Sequence, residues 1–328
     1  MEILEIKDLE ILAKKRVPKM FFDYVNSGSW TETTYNENVL DFQKIKLRQR
    51  VAIDMSNRTL ETKMINQPVS MPVAIAPTGL TGMQRADGEI LAAQAAEEFG
   101  IPYTLSTMSV CSIEAVAEKT TKPFWFQLYV MKDKKFVENL IKRAQSAKCH
   151  ALVLTMDLPI LAQRHKDIKN GLSAPPTLTL NSIIQILKKP GWCFKMLSTP
   201  NKTFGNILGH VEGVDNLSSI VKWTDKQFDP SLSWDYVKWI RRLWKGPLIL
   251  KGILDKDDIK IANKLEIQGI IVSNHGGRQL DGTISSIMGL KHVISHVAPN
   301  LEVFFDGGIR SGKDIVKALA LGAKGVFM

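Results

Sequence analysis

The chain has 328 residues, 45% hydrophobic and 23% charged, a composition that excludes a disordered chain, a collagen and a coiled-coil rod. Its three cysteines, Cys111, Cys149 and Cys193, are too few and too odd in number for a disulfide framework and fit a reducing compartment. The net charge of +10 permits an anionic partner without naming one, and no run reaches the roughly 18 apolar residues that a membrane span needs.

The opening residues, MEILEIKDLE, carry acids where a signal peptide has a basic region followed by an apolar run. Residues 1–70 are polar and helical in flavour, with few strand signals. From residue 71 short apolar runs alternate with amphipathic stretches. The runs are 73–77, 103–106, 124–129, 151–155, 248–252, 269–273, 303–307 and 325–328. They are β-rich and mostly apolar throughout, as strands buried on both faces are. Helix patterns lie at 87–100, 112–119, 135–149, 235–244, 255–266, 285–298 and 312–323. In the third, Phe136, Val137, Leu140, Ile141 and Ala144 form one apolar stripe. Strand then helix, repeated, implies parallel strands with right-handed crossovers. Eight such strands favour a closed (β/α)8 TIM barrel over an open doubly wound sheet. The expected organisation is one domain over 1–328, with an N-terminal helical segment at 1–70 and an inserted region at 169–234. The last run ends at Met328 without the helix that would cover it, so the chain is expected to lack its C-terminal end.

In a barrel, the loops after the strands form the active face. Polar residues end seven of the runs: Pro77-Thr78, Ser106, Gln127 with Tyr129, Thr155 with Asp157, Lys251, Ser273 to His275, and Asp306 to Arg310. Such groups would cost free energy if buried unpaired, so a ring of them points to a site. His275 at a strand end suits a general base, and Arg278 three residues on suits a bidentate carboxylate clamp. Asp157 can orient a histidine and stabilise its protonated form, and Arg164 offers a second clamp. The bland alternative for that pair is a surface Asp157–Arg164 ion pair. Lys251 suits either a Schiff base or a positive charge beside an electron-rich cofactor.

Residues 306–314 form a Gly-rich strand-to-helix loop that suits a phosphate. The Walker pattern fails there, because Asp314 stands where Ser or Thr must reach Mg²⁺. No GxGxxG follows a strand, so a nicotinamide Rossmann domain is not supported. His292 and His296 lack a third ligand and read as an outer helix face, and Cys111 and Cys149 read as packing residues; no metal site is expected. Five of the seven tryptophans lie at 192–244 without a nucleic-acid-binding module, so no nucleic-acid partner is expected. From Ile168 to Val211 there are five lysines (169, 188, 189, 195, 202) and no acid. They mix with Leu178, Leu180, Ile183, Ile184, Ile186, Leu187, Trp192, Phe194, Met196 and Leu197, a recipe for lying on an anionic bilayer.

The segments PKMFFDYVNSG (18–28), APTGLTGM (76–83), LSTMSVCSIEAVA (105–117), WFQLY (125–129), SNHGGRQLDG (273–282) and DGGIRSGKDIVKALALGA (306–323) together resemble the FMN-dependent L-2-hydroxy acid dehydrogenase/oxidase family. The resemblance runs through the whole chain. GLTGM, LSTMSVCSIE, FDPSLSW (228–234) and GPLILKGILD (246–255) most resemble its bacterial membrane-associated members that oxidise L-lactate, with those acting on mandelate next. It implies FMN as cofactor and His275 as the base, paired with Asp157. It also implies Arg278, Arg164 and Tyr24 on the substrate carboxylate, Tyr129 on the hydroxyl oxygen, and Lys251 near the flavin N1–O2 edge. Ala76, Pro77, Thr78, Ser106, Gln127, Thr155 and Ser273 match flavin-contacting positions, and Asp306, Gly307, Gly308 and Arg310 match the ribityl-phosphate loop. Gly79, Met108 and Leu161 would line the substrate pocket. Ala162 departs from the family, which usually has Gly there. The family's Gly-Arg pair past the eighth strand lies beyond Met328. The implied partners are a small L-2-hydroxy acid, a quinone or other respiratory acceptor, an anionic membrane surface and three further copies in a homotetramer. The implied place is peripheral, on the cytoplasmic face of the bacterial inner membrane, or otherwise cytoplasmic.

Overall fold

The computed structural model describes residues 2–172, 179–211, 213, 214, 219, 223 and 227–328. Three helices come first: α1 (Ile6–Arg16), α2 (Lys19–Val25) and α3 (Thr33–Lys44). A hairpin of β1 (Thr62–Met64) and β2 (Gln67–Val69) follows, which the sparse strand signals of 1–70 had not announced. Its residues Met64, Ile65 and Val69 plug the bottom of the barrel, so tertiary burial holds two three-residue strands that are marginal alone.

Eight parallel strands then form one sheet: β3 (Val73–Ala74), β4 (Thr104–Ser106), β5 (Trp125–Tyr129), β6 (Leu152–Thr155), β7 (Leu248–Ile253), β8 (Gly269–Val272), β9 (Glu302–Asp306) and β10 (Gly325–Phe327). Neighbours in sequence are neighbours in space, β10 pairs with β3, and a parallel bridge between Ile75 and Tyr103 joins β3 to β4 and closes the ring. The expected (β/α)8 barrel is the observed one, and each expected strand is present with its ends moved by a few residues.

Strand periodicity decides what lies inside. Alternate side chains point to opposite faces. Leu152 and Leu154 pack outward beneath the helices, whereas Val153 joins Trp125, Ile249, Ile271, Phe304 and Phe327 in the barrel interior. Two residues beyond each interior apolar group the same face carries a polar one: Gln127 after Trp125, Thr155 after Val153, Lys251 after Ile249, Ser273 after Ile271 and Asp306 after Phe304. The lower barrel is therefore a dry plug and its upper end a polar ring.

The crossover helices cover the outside. Lys134–Ser146 buries Phe136, Val137, Leu140, Ile141 and Ala144, the stripe read from the sequence. Cys111 and Cys149 are buried, and burial pushes both thiols up, Cys149 to about 12, as packing residues require. His292 and His296 are exposed on the outside, as expected.

The insertion is held to the barrel by polar contacts. Asn206 is fully buried and donates to the Ser109 hydroxyl at 3.0 Å, while its carbonyl groups accept from Arg143. Within the insertion lie α9 (Leu180–Leu187) and α10 (Pro190–Ser198), preceded by the short α8 (His165–Lys169). The helices α4 (Thr81–Gln84), α5 (Gly88–Phe99), α6 (Ile113–Lys119) and α7 (Lys134–Ser146) lie between β3 and β6. Leu178 lies outside the described residues. On α9, Leu180, Ile183, Ile184 and Leu187 recur at i, i+3, i+4 and i+7, and all four face solvent. Phe194 and Leu197 on α10 are exposed as well. Trp192 instead stacks on Phe21 at 5.4 Å and donates to the Met83 carbonyl. Two of the insertion's lysines serve the fold: Lys189 donates to the carbonyls of Lys14 and Lys15 that end α1, and Lys202 donates to the Leu197 carbonyl.

Candidate active site

A cavity of about 960 Å³ opens at the C-terminal ends of the strands. That is the upper end of the range for cofactor and substrate sites. Ala76, Pro77, Thr78, Gln127, Tyr129, Thr155, Lys251, Asp306, Gly307, Gly308 and Arg310 line it, as do Tyr24, Arg164, His275 and Arg278. So do Gly79, Met108 and Leu161. Three of the sequence candidates stand behind the wall. Ser106 donates to Gln127 Oε1 at 3.1 Å, Ser273 accepts from Lys251 Nζ at 2.8 Å, and Asp157 lies behind His275. Ser106 and Ser273, expected at flavin-contacting positions, are each hydrogen-bonded to the polar group of the neighbouring strand.

The ring is wired from strand to strand. Ser106 donates to Gln127, whose amide donates to the Thr155 hydroxyl at 2.8 Å. Across the barrel Lys251 is ion-paired with Asp306 at 3.0 Å. Burial pulls Lys251 down, but Asp306 and Asp157 outweigh it and hold the ammonium above its ordinary value. Lys251 is therefore charged, which disfavours Schiff-base chemistry and suits a fixed positive charge.

His275 occupies the turn after β8 with a left-handed backbone, φ +58. Its Nδ1 lies 2.8 Å from Asp157 Oδ1. Burial raises the Asp157 carboxyl, and His275 and Lys251 more than reverse that, so it is held below the usual carboxylate range. An ionised carboxylate only accepts, so Nδ1 carries the proton and Nε2 is left to receive one. Nε2 faces the Tyr129 hydroxyl at 3.4 Å, and burial keeps that phenol protonated. The Asp157–Arg164 ion pair weighed from the sequence does not form: Arg164 pairs with Asp167 at 2.5 Å.

Arg164 and Arg278 lie against the ring of Tyr24, 5.4 and 5.2 Å from its centroid. Both are largely buried, and burial and the Arg164 charge lower Arg278. Two guanidinium groups on one ring, both lining the cavity, have the chemistry that suits a small carboxylate. Tyr24 comes from α2, which the N-terminal segment presses onto the turn after β8. Arg278 donates to the Ser27 carbonyl at 2.6 Å, and Ser29 donates to the Gly277 carbonyl. The approach is close: a Cβ on Gly277 would lie 2.4 Å from the Tyr35 nitrogen. Asn38 of α3 and Asn274 exchange amide hydrogen bonds of 2.9 and 2.8 Å, and Asn274 Oδ1 also accepts from Gly277 N. Sequence reading missed Asn38, Phe204 and Phe228, which join the site from distant segments. Phe228 lies edge-on to Tyr129 at 6.3 Å.

Whether FMN fits can be tested on the residues themselves. Asp306 Oδ1 is buried without a hydrogen-bond partner among the described residues, an acceptor that a ribityl hydroxyl would satisfy. Gly307 and Gly308 hold φ of +103 and +83, and a Cβ on Gly308 would lie 2.0 Å from the Asn38 carbonyl oxygen. This is a turn that only glycine fits, beside Arg310, which lines the cavity. Asp314, which breaks the Walker pattern, accepts from Arg310 N and the Ser311 hydroxyl and so shapes the same turn. Gln127 and Lys251 add N–H donor groups to the cavity lining. The residues fit the group.

A barrel with a carboxylate clamp, a histidine–aspartate pair and a flavin-phosphate cradle defines a flavin-dependent oxidoreductase of small acids. The comparisons make this particular. Residues 13–328 match the model of the FMN-dependent dehydrogenase family, and the chain belongs to that family and uses FMN. It is 43% identical over 330 residues to an L-lactate dehydrogenase of Acinetobacter baylyi, covering 100% of this chain and 85% of that one. An L-lactate dehydrogenase of Stenotrophomonas maltophilia is 44% identical over 323 residues, covering 98% and 85%. Among solved structures, the monotopic membrane protein (S)-mandelate dehydrogenase superposes with a TM-score of 0.94 at 32% identity, covering 100% of this chain and 87% of that one. A mandelate oxidase structure gives a TM-score of 0.84 at 33% identity, covering 100% and 85%. Described residues contain no group of three or more potential metal ligands.

Proposed function

We propose that the chain oxidises L-lactate to pyruvate and passes the electrons to a quinone or another respiratory acceptor. The observation that carries this reading is the juxtaposition of His275 Nε2, Tyr129 and the Arg164–Arg278 pair on one cavity wall. The two guanidinium groups bind the substrate carboxylate, which fixes the hydroxyl against His275 and Tyr129. His275 Nε2 takes the hydroxyl proton, and the imidazolium formed is stabilised by the ionised Asp157 behind it. Tyr129 donates to the same oxygen. FMN, when bound, supplies the two-electron acceptor for the C2 hydrogen and its bonding pair. Lys251 holds positive charge in the wall through both halves of the reaction. The test is direct: FMN-loaded protein under anaerobic L-lactate should lose its flavin absorbance within seconds. A flavin that stays yellow with every L-2-hydroxy acid tried would end the reading.

The same reading covers the surroundings. The outward stripe Leu180, Ile183, Ile184 and Leu187, with the exposed Lys188 and Lys195 beside it, supports peripheral docking on anionic lipid at the cytoplasmic face of the inner membrane. No helix among the described residues is long and apolar enough to cross a membrane. Each of these side chains gains about 1.5–3 kcal/mol on full burial. Changing Ile184 and Leu187 together to Glu is therefore expected to cut co-sedimentation with anionic vesicles at least roughly tenfold, with activity towards a soluble dye acceptor unchanged. Equal sedimentation of the variant and the parent would exclude α9 as the docking face. Leu47, Val51, Ile53, Met55 and Leu60 are exposed on an irregular segment after α3, which supports contact between copies in a homotetramer. The whole of 1–328 is read as one FMN-binding unit.

A further inference from the structure

We propose that Asp167 is a positioning residue for substrate capture, holding the Arg164 guanidinium so that its two terminal nitrogens present a fork to the cavity. The inference rests on the functional reading above. Arg–carboxylate pairs commonly close in a bidentate fork. Here the contact is made through Nε alone, to Asp167 Oδ2 at 2.5 Å. Among the described residues, neither Nη1 nor Nη2 of Arg164 makes a hydrogen bond, so the face that matches a carboxylate is left for another one. Asp167 is itself buried, and its Oδ1 has no hydrogen-bond partner among the described residues. Leaving a buried carboxylate half satisfied is costly, and the benefit is an oriented cation in the cavity wall.

Local sequence makes the pair. Arg164 precedes α8 and Asp167 lies in its first turn, three residues on, where the two side chains meet on one side of the backbone. The guanidinium then lies against Tyr24, opposite Arg278. Arg278 is anchored differently, through Nη1 to the Ser27 carbonyl. The two cations repel each other, as the lowering of Arg278 by Arg164 records, and Asp167 counters that charge. Without Asp167, repulsion and solvent would let Arg164 swing from the ring.

The test uses the FMN-loaded enzyme carrying Asp167→Asn, with L-lactate as substrate and oxalate as an inert dicarboxylate read by flavin difference spectra. The expected result is a KM raised about tenfold or more and an oxalate Kd raised in parallel, with kcat within about threefold of the parent. Flavin content and Tm should stay at the parent values, and Asp167→Glu should recover part of the loss. In an Arg164→Lys background, where no fork exists to orient, Asp167→Asn should add little. An unchanged KM and oxalate Kd would overturn the proposal. So would a lower KM, which is what removing a mere counter-ion from an anion site gives. Loss of flavin or of folding in Asp167→Asn would assign the residue to the scaffold instead. If the parent turns over no L-2-hydroxy acid, the functional reading fails, and the oxalate comparison still decides the role of Asp167.

Discussion

Replacing His275 by Gln is expected to lower kcat for L-lactate by roughly 10²–10⁴, the range for removal of a general base, while flavin content stays at the parent level. The three titratable groups nearest His275 do not replace the lost base. Asp157 lies behind His275 and offers its ionised oxygen to Nδ1, not to the cavity. Tyr129 is kept protonated by burial and can donate but not accept the substrate proton. Lys251 is held charged by Asp306 and Asp157 and has no lone pair to use. A stopped-flow measurement of flavin reduction checks this without interference from the acceptor. A reduction rate within threefold of the parent would remove His275 from the proton path. The same geometry gives a sign for pH. The Asp157 carboxyl is lowered in the folded protein, so its stabilising contact with His275 is present in full above the ordinary carboxylate range. The contact is lost as pH falls through the lowered value. Acid should therefore weaken the fold and misorient the base together.

Arg278→Met is expected to cost about 2–5 kcal/mol in kcat/KM, roughly 30- to 4,000-fold, the range for truncating one partner of a buried charge pair. Two losses combine. The substrate carboxylate loses one of its two guanidinium partners, and the Ser27 carbonyl that Arg278 satisfies at 2.6 Å is left unpaired. Because Ser27 belongs to the segment that carries Tyr24, the substitution also loosens the opposite wall. Arg278→Lys should recover the charge but not the fork, and so only part of the loss. Comparing KM for L-lactate with the Kd of oxalate separates ground-state binding from orientation. An Arg278→Met enzyme whose kcat/KM falls less than fivefold would show that Arg164 alone holds the carboxylate.

Much of this site is legible in the chain because barrel strands are short and periodic. Once Trp125, Val153, Ile249, Ile271 and Phe304 are inside, alternation places Gln127, Thr155, Lys251, Ser273 and Asp306 inside two residues later. The ring of strand-end polar groups is thus a local property, and the barrel rule places it at one mouth. The partners within that ring are less legible. Asp157 had two candidates in sequence, Arg164 and His275, and both are within reach of a loop after β6. Packing chose His275 because the turn after β8 reaches across the end of β7 to the loop after β6, and Asp167 had already claimed Arg164. Ser106 and Ser273 show the same limit: strand position puts them at the mouth, yet each is turned to serve a neighbour.

By itself, the sequence determined the alternation of strands and helices, the ring of polar groups at the strand ends, and the residue types that a small anion and a flavin phosphate need. These depend on spacing within one segment, where the backbone repeat translates directly into direction. The family resemblance had placed Tyr24 at the substrate, but only the tertiary structure showed how the rest of the first forty residues closes the site. Ser27 and Asn38 reach Arg278 and Asn274 across more than 230 positions of chain through hydrogen bonds, and Tyr24 reaches Arg278 through a cation–π contact, none of which a local pattern encodes. It also decided that α9 turns its apolar stripe outward. A stripe of that period is equally compatible with a core, and only the packing of the whole chain shows which way it faces.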